Sequence, residues 1–314
     1  MKVLVLWADR FSTNLGVRAL AEGCAALVAS IAPDADIAFW NYETPGAPVT
    51  LTTRTILKEA LAAGPIRRHL AEYDLVVDSR SGDSFTDIYG LRRHLHMSLV
   101  GSYAARQRPH VFAPQTFGPF RSRLALLMTK RTSRRSRLFL GRDPRSTKAA
   151  AAVLDMPVVG ATDVVFTLPV ERVPRTRDVL LNVSGLLWAE NTHVDSTRYR
   201  SVVGELLDAL HADGRRVALL AHVIASSDPD NDGGPLRELA DHPAVTETLE
   251  PQSLEEARAM IASAELVIAS RMHACLNALS QGIPAIALEY SDKFAPLMQD
   301  LDWSRRVDLR AESI

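Results

Sequence analysis

Cysteine is scarce in this chain. Cys24 and Cys275 are the only two among 314 residues, so a disulfide-stapled fold is excluded, and with no secretory signal the usage fits a reducing cytoplasm. Long apolar runs are missing as well. The run in MKVLVLWADR is too short for an export signal, and no later stretch approaches the ~18 uninterrupted apolar residues of a membrane span. Net charge is also missing: 36 Lys+Arg against 37 Asp+Glu give −1, which argues against whole-molecule attraction to nucleic acid. There is no short-period repeat and no low-complexity segment.

One local absence stands out against this neutral total. From Ile88 to Arg142 there is no Asp or Glu, while twelve Lys and Arg fall in the same 55 residues. That segment carries +12 and leaves −13 for the rest. Two readings are open: Arg-rich helix faces in solvent, or a positive wall for an anionic substrate or an anionic membrane surface. Aromatic residues are not interleaved with the run, which weighs against nucleic acid.

What the chain does contain is globular: 47% hydrophobic and 23% charged residues, over a length suited to about two domains. Short apolar runs alternate with helical patterns. Strands are expected at KVLVLW (2–7), IAFWN (37–41), DLVVD (74–78), HVFAPQ (110–115), RLFLG (137–141) and PVVG (157–160). After the Pro-flanked linker VERVPRTRD (170–178), the rhythm resumes with DVLLNVS (178–184), RVALLAHVI (216–224), AVTETLE (244–250), ELVIAS (265–270) and PAIALE (284–289). Strand–helix alternation in both halves predicts two doubly wound α/β domains with mainly parallel sheets, 1–170 and 171–314. In such sheets ligands sit beyond the strand carboxyl ends, so two domains in tandem place the site in the cleft between them.

The residues that follow the strands are therefore the candidates. Asn14 and Gly16 open the first helix, where Gly permits close backbone approach and N-terminal amides suit an anion; a plain helix start is the other reading. Asp78, Asp83 and Asp87 crowd the turn after the third strand, and Asp83 is the candidate general base, with capping or turn chemistry as the alternative. Gln115, in the rigid turn APQTFGPF, is positioned to point into the cleft. Arg142 leaves the fifth strand and is suited to clamp a carboxylate or phosphate, unless it makes a surface ion pair.

SRMHACLNALSQGIPAIALEY (270–290) is the most informative segment. Arg271 and His273 straddle a strand end and a helix start. The helix N-terminus disfavours a charged imidazole and a bound anion favours it. His273 is therefore suited to donate a proton only when substrate is present.

SRMHACLNALSQGIPAIALEYSDKF resembles the C-terminal signature of the polysaccharide pyruvyltransferase family: Ser-Arg-x-His-Ala, a Gly-x-Pro strand, then an aromatic followed by Lys. DLVVDSRSGDSF resembles the family's Gly-rich loop, APQTFGPF its Gln-x-x-Gly-Pro turn, LGRDPRS its Arg-Asp-x-x-Ser segment and GATDVVFTLP its Asp-x-x-Phe-x-Leu stretch. These run in the family's order over residues 10–300. Two loops depart: the family's Asn-x-Gly-Asp is Asn14-Leu15-Gly16-Val17, and its Gly-Gly-Gly is Arg80-Ser81-Gly82.

The resemblance implies a glycosyltransferase-B-like fold of two Rossmann-like domains facing a cleft. It implies phosphoenolpyruvate as donor substrate, with no separate cofactor and no metal. The acceptor is then a sugar, glycan or lipid-linked saccharide, handled in the cytoplasm or peripherally at the inner membrane face. Ketal formation needs an acid, a base and cations for the carboxylate and phosphate. His273 fits the acid and Asp83 the base. Arg142 and Arg271 fit the cations, with Lys293 of EYSDKF adding to the phosphate site. A nucleotide-sugar glycosyltransferase on the same architecture, or a non-catalytic relative that binds an anionic glycan, remain the competing classes.

Overall fold

A computed structural model describes residues 1–42, 44–82, 85–224 and 229–311. Asp83 lies outside the described residues. The chain forms two compact units. The first comprises Met1–Phe11 and Leu20–Thr167, the second Ser12–Ala19 and Leu168–Ile314.

The strands of the first unit are β1 (Lys2–Leu6), β2 (Asp36–Trp40), β3 (Leu75–Asp78), β4 (His110–Gln115), β5 (Leu138–Gly141) and β6 (Val158–Gly160). They form one parallel sheet in the order β2-β1-β3-β4-β5-β6. The helices are α1 (Leu15–Ile31), whose first turn counts with the second unit, α2 (Thr53–Leu61), α3 (Pro65–Leu70), α4 (Leu91–Gln107), α5 (Arg123–Ser133) and α6 (Pro144–Val153). Both faces of the sheet are covered, which is why β1 reads as a continuous apolar run. Leu4 and Leu6 join the core formed with Trp40, Val76, Met97 and Val100, while Val3 and Val5 face Leu20, Ala21 and Cys24 of α1.

Local chemistry sets the helix starts. Ser122 caps α5. Asp143 caps α6 through the Ser146 N–H, with Pro144 in the first turn, as expected from GRDPRS.

The second unit repeats the plan with β7 (Arg177–Asn182), α7 (Gly185–Trp188), α8 (Ser196–Ala212), β8 (Val217–Leu220), α9 (Gly233–Leu239), β9 (Val245–Leu249), α10 (Leu254–Ala262), β10 (Ala264–Ala269), α11 (Met272–Leu279), β11 (Ala285–Glu289), α12 (Phe294–Asp300) and β12 (Arg306–Asp308). Its parallel sheet has the order β12-β11-β10-β7-β8-β9. The fold class expected from the sequence is the one observed: two parallel six-stranded sheets with helices.

Two details differ from expectation. The strand predicted at 216–224 stops at Leu220, so His222 lies beyond a strand end and not inside a strand. The short edge strand β12 was not anticipated.

Strand order locates the switch points, where a doubly wound sheet opens a crevice at its carboxyl edge. In the first sheet the chain builds outward from β1 to β2 and then returns to β3. In the second it runs β7, β8, β9 and then crosses back to β10. The segments after β1 and β3, and after β7 and β10, are therefore the ones the fold offers to a ligand.

Candidate functional site

In the second unit the Arg271-Met272-His273 segment leaves β10 at that switch point. Asn182, the last residue of β7, ties the neighbouring strand ends together. Its Oδ1 accepts the Arg271 N–H at 3.0 Å, and its Nδ2 donates to the Leu220 carbonyl at 2.9 Å and to Asp232 Oδ2 at 3.1 Å. Tyr199 of α8 adds a second tie. Its hydroxyl bonds Ser270 Oγ at 2.7 Å and accepts the Ser184 N–H at 3.0 Å.

Asp232 is the hub of this arrangement and is fully buried. Oδ2 also accepts the N–H groups of His222 at 2.9 Å and Val223 at 3.0 Å. Oδ1 accepts from the Gly185 N–H at 2.9 Å and from Arg271 Nη2 at 2.7 Å. Arg271 Nη2 also meets the Asp230 carboxylate at 2.7 Å. Burial works against the Arg271 charge, but Asp232 and Asp230 outweigh it and hold the guanidinium firmly protonated. Arg271, expected to clamp a donor, thus commits Nε and Nη2 to two carboxylates of its own unit.

His273 occupies the first turn of α11, whose start carries no side-chain cap among the described residues. Its carbonyl accepts Asn277 Nδ2 at 2.7 Å. That amide also lies 3.4 Å from His222 Nε2, and Asn277 Oδ1 accepts Arg258 Nη1 at 2.6 Å. His222 is buried. Desolvation first, then the neighbouring His273 and Arg271, push its imidazole down to about 3, so it is neutral near pH 7.

Residues 13–15 run antiparallel to 222–224. Asn14 bridges Val223, the Leu15 N–H donates to the His222 carbonyl at 3.0 Å, and the Ile224 N–H donates to the Thr13 carbonyl at 2.9 Å. Asn14 Oδ1 accepts the Gly16 N–H at 2.9 Å. A Cβ on Gly16 would stand 2.9 Å from His273 Nδ1 and 3.0 Å from His273 Cβ. Glycine is required there because the imidazole packs against the backbone. Lys293 is the residue preceding α12.

The remaining candidates belong to the first unit. Arg142 is fully buried. Nε donates to Thr116 Oγ1 at 2.8 Å and Nη1 to Asp163 Oδ2 at 3.2 Å, while Nη2 has no hydrogen-bond partner among the described residues. The surface-ion-pair alternative is thereby set aside. Gln115 is buried too, and its Nε2 donates to the Asp78 and Ala113 carbonyls, each at 3.1 Å. Two of the three crowded aspartates are structural. Asp78 lies buried 3.6 Å from Arg80 Nε and 3.4 Å from His110 Nε2. Asp87 accepts the N–H groups of Arg121 at 2.8 Å and Ser122 at 2.7 Å. Burial raises its pKa, but these bonds prevail and leave it below the usual carboxylate range.

With this geometry in place, the family model for polysaccharide pyruvyl transferases matches residues 14–292, nearly the whole chain. The chain belongs to the polysaccharide pyruvyl transferase family. The family's Gly-rich loop, Arg80-Ser81-Gly82 here, has φ of +42°, +53° and +74°. All three residues sit in the left-handed region that glycine enters freely and that costs other residues roughly 1–2 kcal/mol each. The Arg80 side chain is anchored over Phe85, 4.0 Å from the ring centroid, which holds that conformation without the glycine.

No curated protein matches the chain significantly. Among solved structures, the UDP-GlcNAc 2-epimerase from Methanocaldococcus jannaschii is similar at 12% identity and TM-score 0.56, covering 100% of this chain and 94% of its own. A putative UDP-N-acetylglucosamine 2-epimerase from Listeria monocytogenes gives 12% identity and 0.56, with coverage of 95% and 82%. The UDP-GlcNAc 2-epimerase from Neisseria meningitidis gives 13% and 0.53, with 93% and 83%. These likenesses identify the glycosyltransferase-B-like fold.

Sequence reasoning missed His222, Asp232, Asn277 and Asp163. His222 sat inside an apolar run and read as core. Asp232 lies in the acidic stretch DPDND, between the predicted strands. The proximity of His222 to a strand end was the one available signal.

Proposed function

We propose that this transferase moves pyruvate from phosphoenolpyruvate to a saccharide and releases phosphate. Family membership supports the reading, and the packing of His273 against Gly16 at the β7/β10 switch point carries it. His273 protonates the methylene carbon of the enol phosphate, which becomes a methyl group and leaves an oxocarbenium-like centre. A sugar hydroxyl adds to that centre and loses its proton, which restores the proton given to the carbon. Phosphate then departs with its bridging oxygen, and a second hydroxyl of the same sugar closes the ketal, its proton leaving with the phosphate. One donor and one diol thus give one ketal and one phosphate.

The other residues hold charge or position. The N-terminus of α11 favours an anion beside His273. Lys293 adds positive charge, as does Arg142, whose buried Nη2 retains a donor unused among the described residues. Arg271 acts chiefly through Asp232, fixing the chain on both sides of His273. Neutral His222 and Asn277 hold the α11 backbone. Asn14 and Gly16 set the floor under the imidazole, Gln115 braces the end of β3, and Asp83 takes the acceptor proton.

The test is phosphate release from phosphoenolpyruvate with a panel of soluble glycan acceptors, followed by NMR for a ketal methyl group. Release with ketal formation supports the reading. Turnover of a nucleotide sugar with no reaction of phosphoenolpyruvate overturns it.

A further inference from the structure

The acid-free segment runs through α4, β4, α5 and β5 of the first unit. Eleven of its twelve cations are exposed; only Arg142 is buried. On α5, Ala125, Thr129 and Thr132 face inward. At 100° per residue the opposite arc is centred on Leu127 and Arg134, with Arg123 and Lys130 on one side and Arg131 and Leu124 on the other. Leu124 is 46% exposed and Leu127 61%. None of these four cations makes an ion pair among the described residues, although ion pairs abound elsewhere on the chain.

The start of α4 turns away from this face: Arg92 donates to Thr53 Oγ1 of α2 at 2.5 Å. A solvated cationic face alone would not carry two exposed leucines. A soluble polyanion would use the charges and ignore the leucines.

We propose that this α5 face docks the protein onto an anionic lipid bilayer, leucines in the interface and cations on the headgroups. No helix among the described residues is long and apolar enough to cross a membrane, so the attachment is peripheral. The inference goes beyond the proposed reaction and does not depend on it.

The experiment is co-sedimentation of the full chain with phosphatidylcholine vesicles, with and without phosphatidylserine, at low and near-physiological salt. Binding is expected for the anionic vesicles only, weakening with salt. Arg131→Gln with Arg134→Gln should lower partitioning by about tenfold or more. Leu124→Ser with Leu127→Ser should lower it similarly, and neither pair should change the melting temperature. Absence of binding at low salt, or equal binding to neutral vesicles, overturns the proposal. So does binding that survives both pairs of substitutions. Binding lost with the arginines but kept without the leucines marks a polyanion site and overturns it too.

Discussion

Gly16 and His273 are packed so closely that no side chain fits between them: a Cβ at position 16 would lie 2.9 Å from the imidazole Nδ1. Two helix starts 257 positions apart in sequence thus define the setting of one ring. Gly16→Ala should displace the imidazole. Since a shift of about 1 Å can cost ~10²-fold in rate, turnover should fall by about that factor while the melting temperature drops only slightly. Paired activity and melting measurements check this. Wild-type turnover in the alanine variant would show that the ring position is not critical.

Removing the proposed proton donor should separate chemistry from binding. His273→Gln is expected to lower phosphate release by ~10²–10⁴-fold, equivalent to roughly 3–5 kcal/mol. Its thermal stability and its phosphoenolpyruvate-induced stabilisation should persist. A large loss of stability would instead assign His273 to the structure.

Much of this architecture was legible from apolar periodicity. HVFAPQ matches β4 residue for residue, because a strand buried on both faces reads as an unbroken apolar run. The same rule misled at RVALLAHVI, where the chain leaves the sheet at Leu220 and turns His222 toward Arg271 and His273. Nothing local marks that exit. Asp232 was hidden for a different reason. Its partners Asn182, Gly185, His222 and Arg271 are brought together only by strand order. Arg142 stood out by its place after a strand, but its partner Asp163 did not.

Asp232 and Asp230 should respond unequally to the same substitution. Asp232→Asn leaves a buried guanidinium half-paired and turns an amide N–H₂ toward backbone donors, so unit 2 should lose about 3–5 kcal/mol. Asp230 is one-third exposed, and Asp230→Asn should cost about 1 kcal/mol or less. Urea unfolding of both variants decides. Equal costs would show that Asp232 is not the hub.

Two buried histidines make stability depend on pH. Burial, helped by Arg80, pushes His94 down to about 4, and burial with the neighbouring His273 and Arg271 pushes His222 to about 3, from 6.5 in both cases. Folded-state values below the unfolded ones mean that the unfolded chain binds more protons. Their contribution is complete above about 6.5 and is lost as pH falls toward 4, at up to about 1.4 kcal/mol per pH unit for each group. Urea midpoints between pH 7.5 and 4.5 should fall accordingly, less steeply for His222→Gln. A flat wild-type profile would contradict the burial of both rings.

The central claim is the identity of the donor, and ligand-induced thermal stabilisation reads it most directly. Phosphoenolpyruvate should raise the melting temperature in proportion to the logarithm of its concentration, and the shift should shrink in Lys293→Gln. UDP-GlcNAc at equal concentration should leave it unchanged. Stabilisation by UDP-GlcNAc with none by phosphoenolpyruvate would contradict the account.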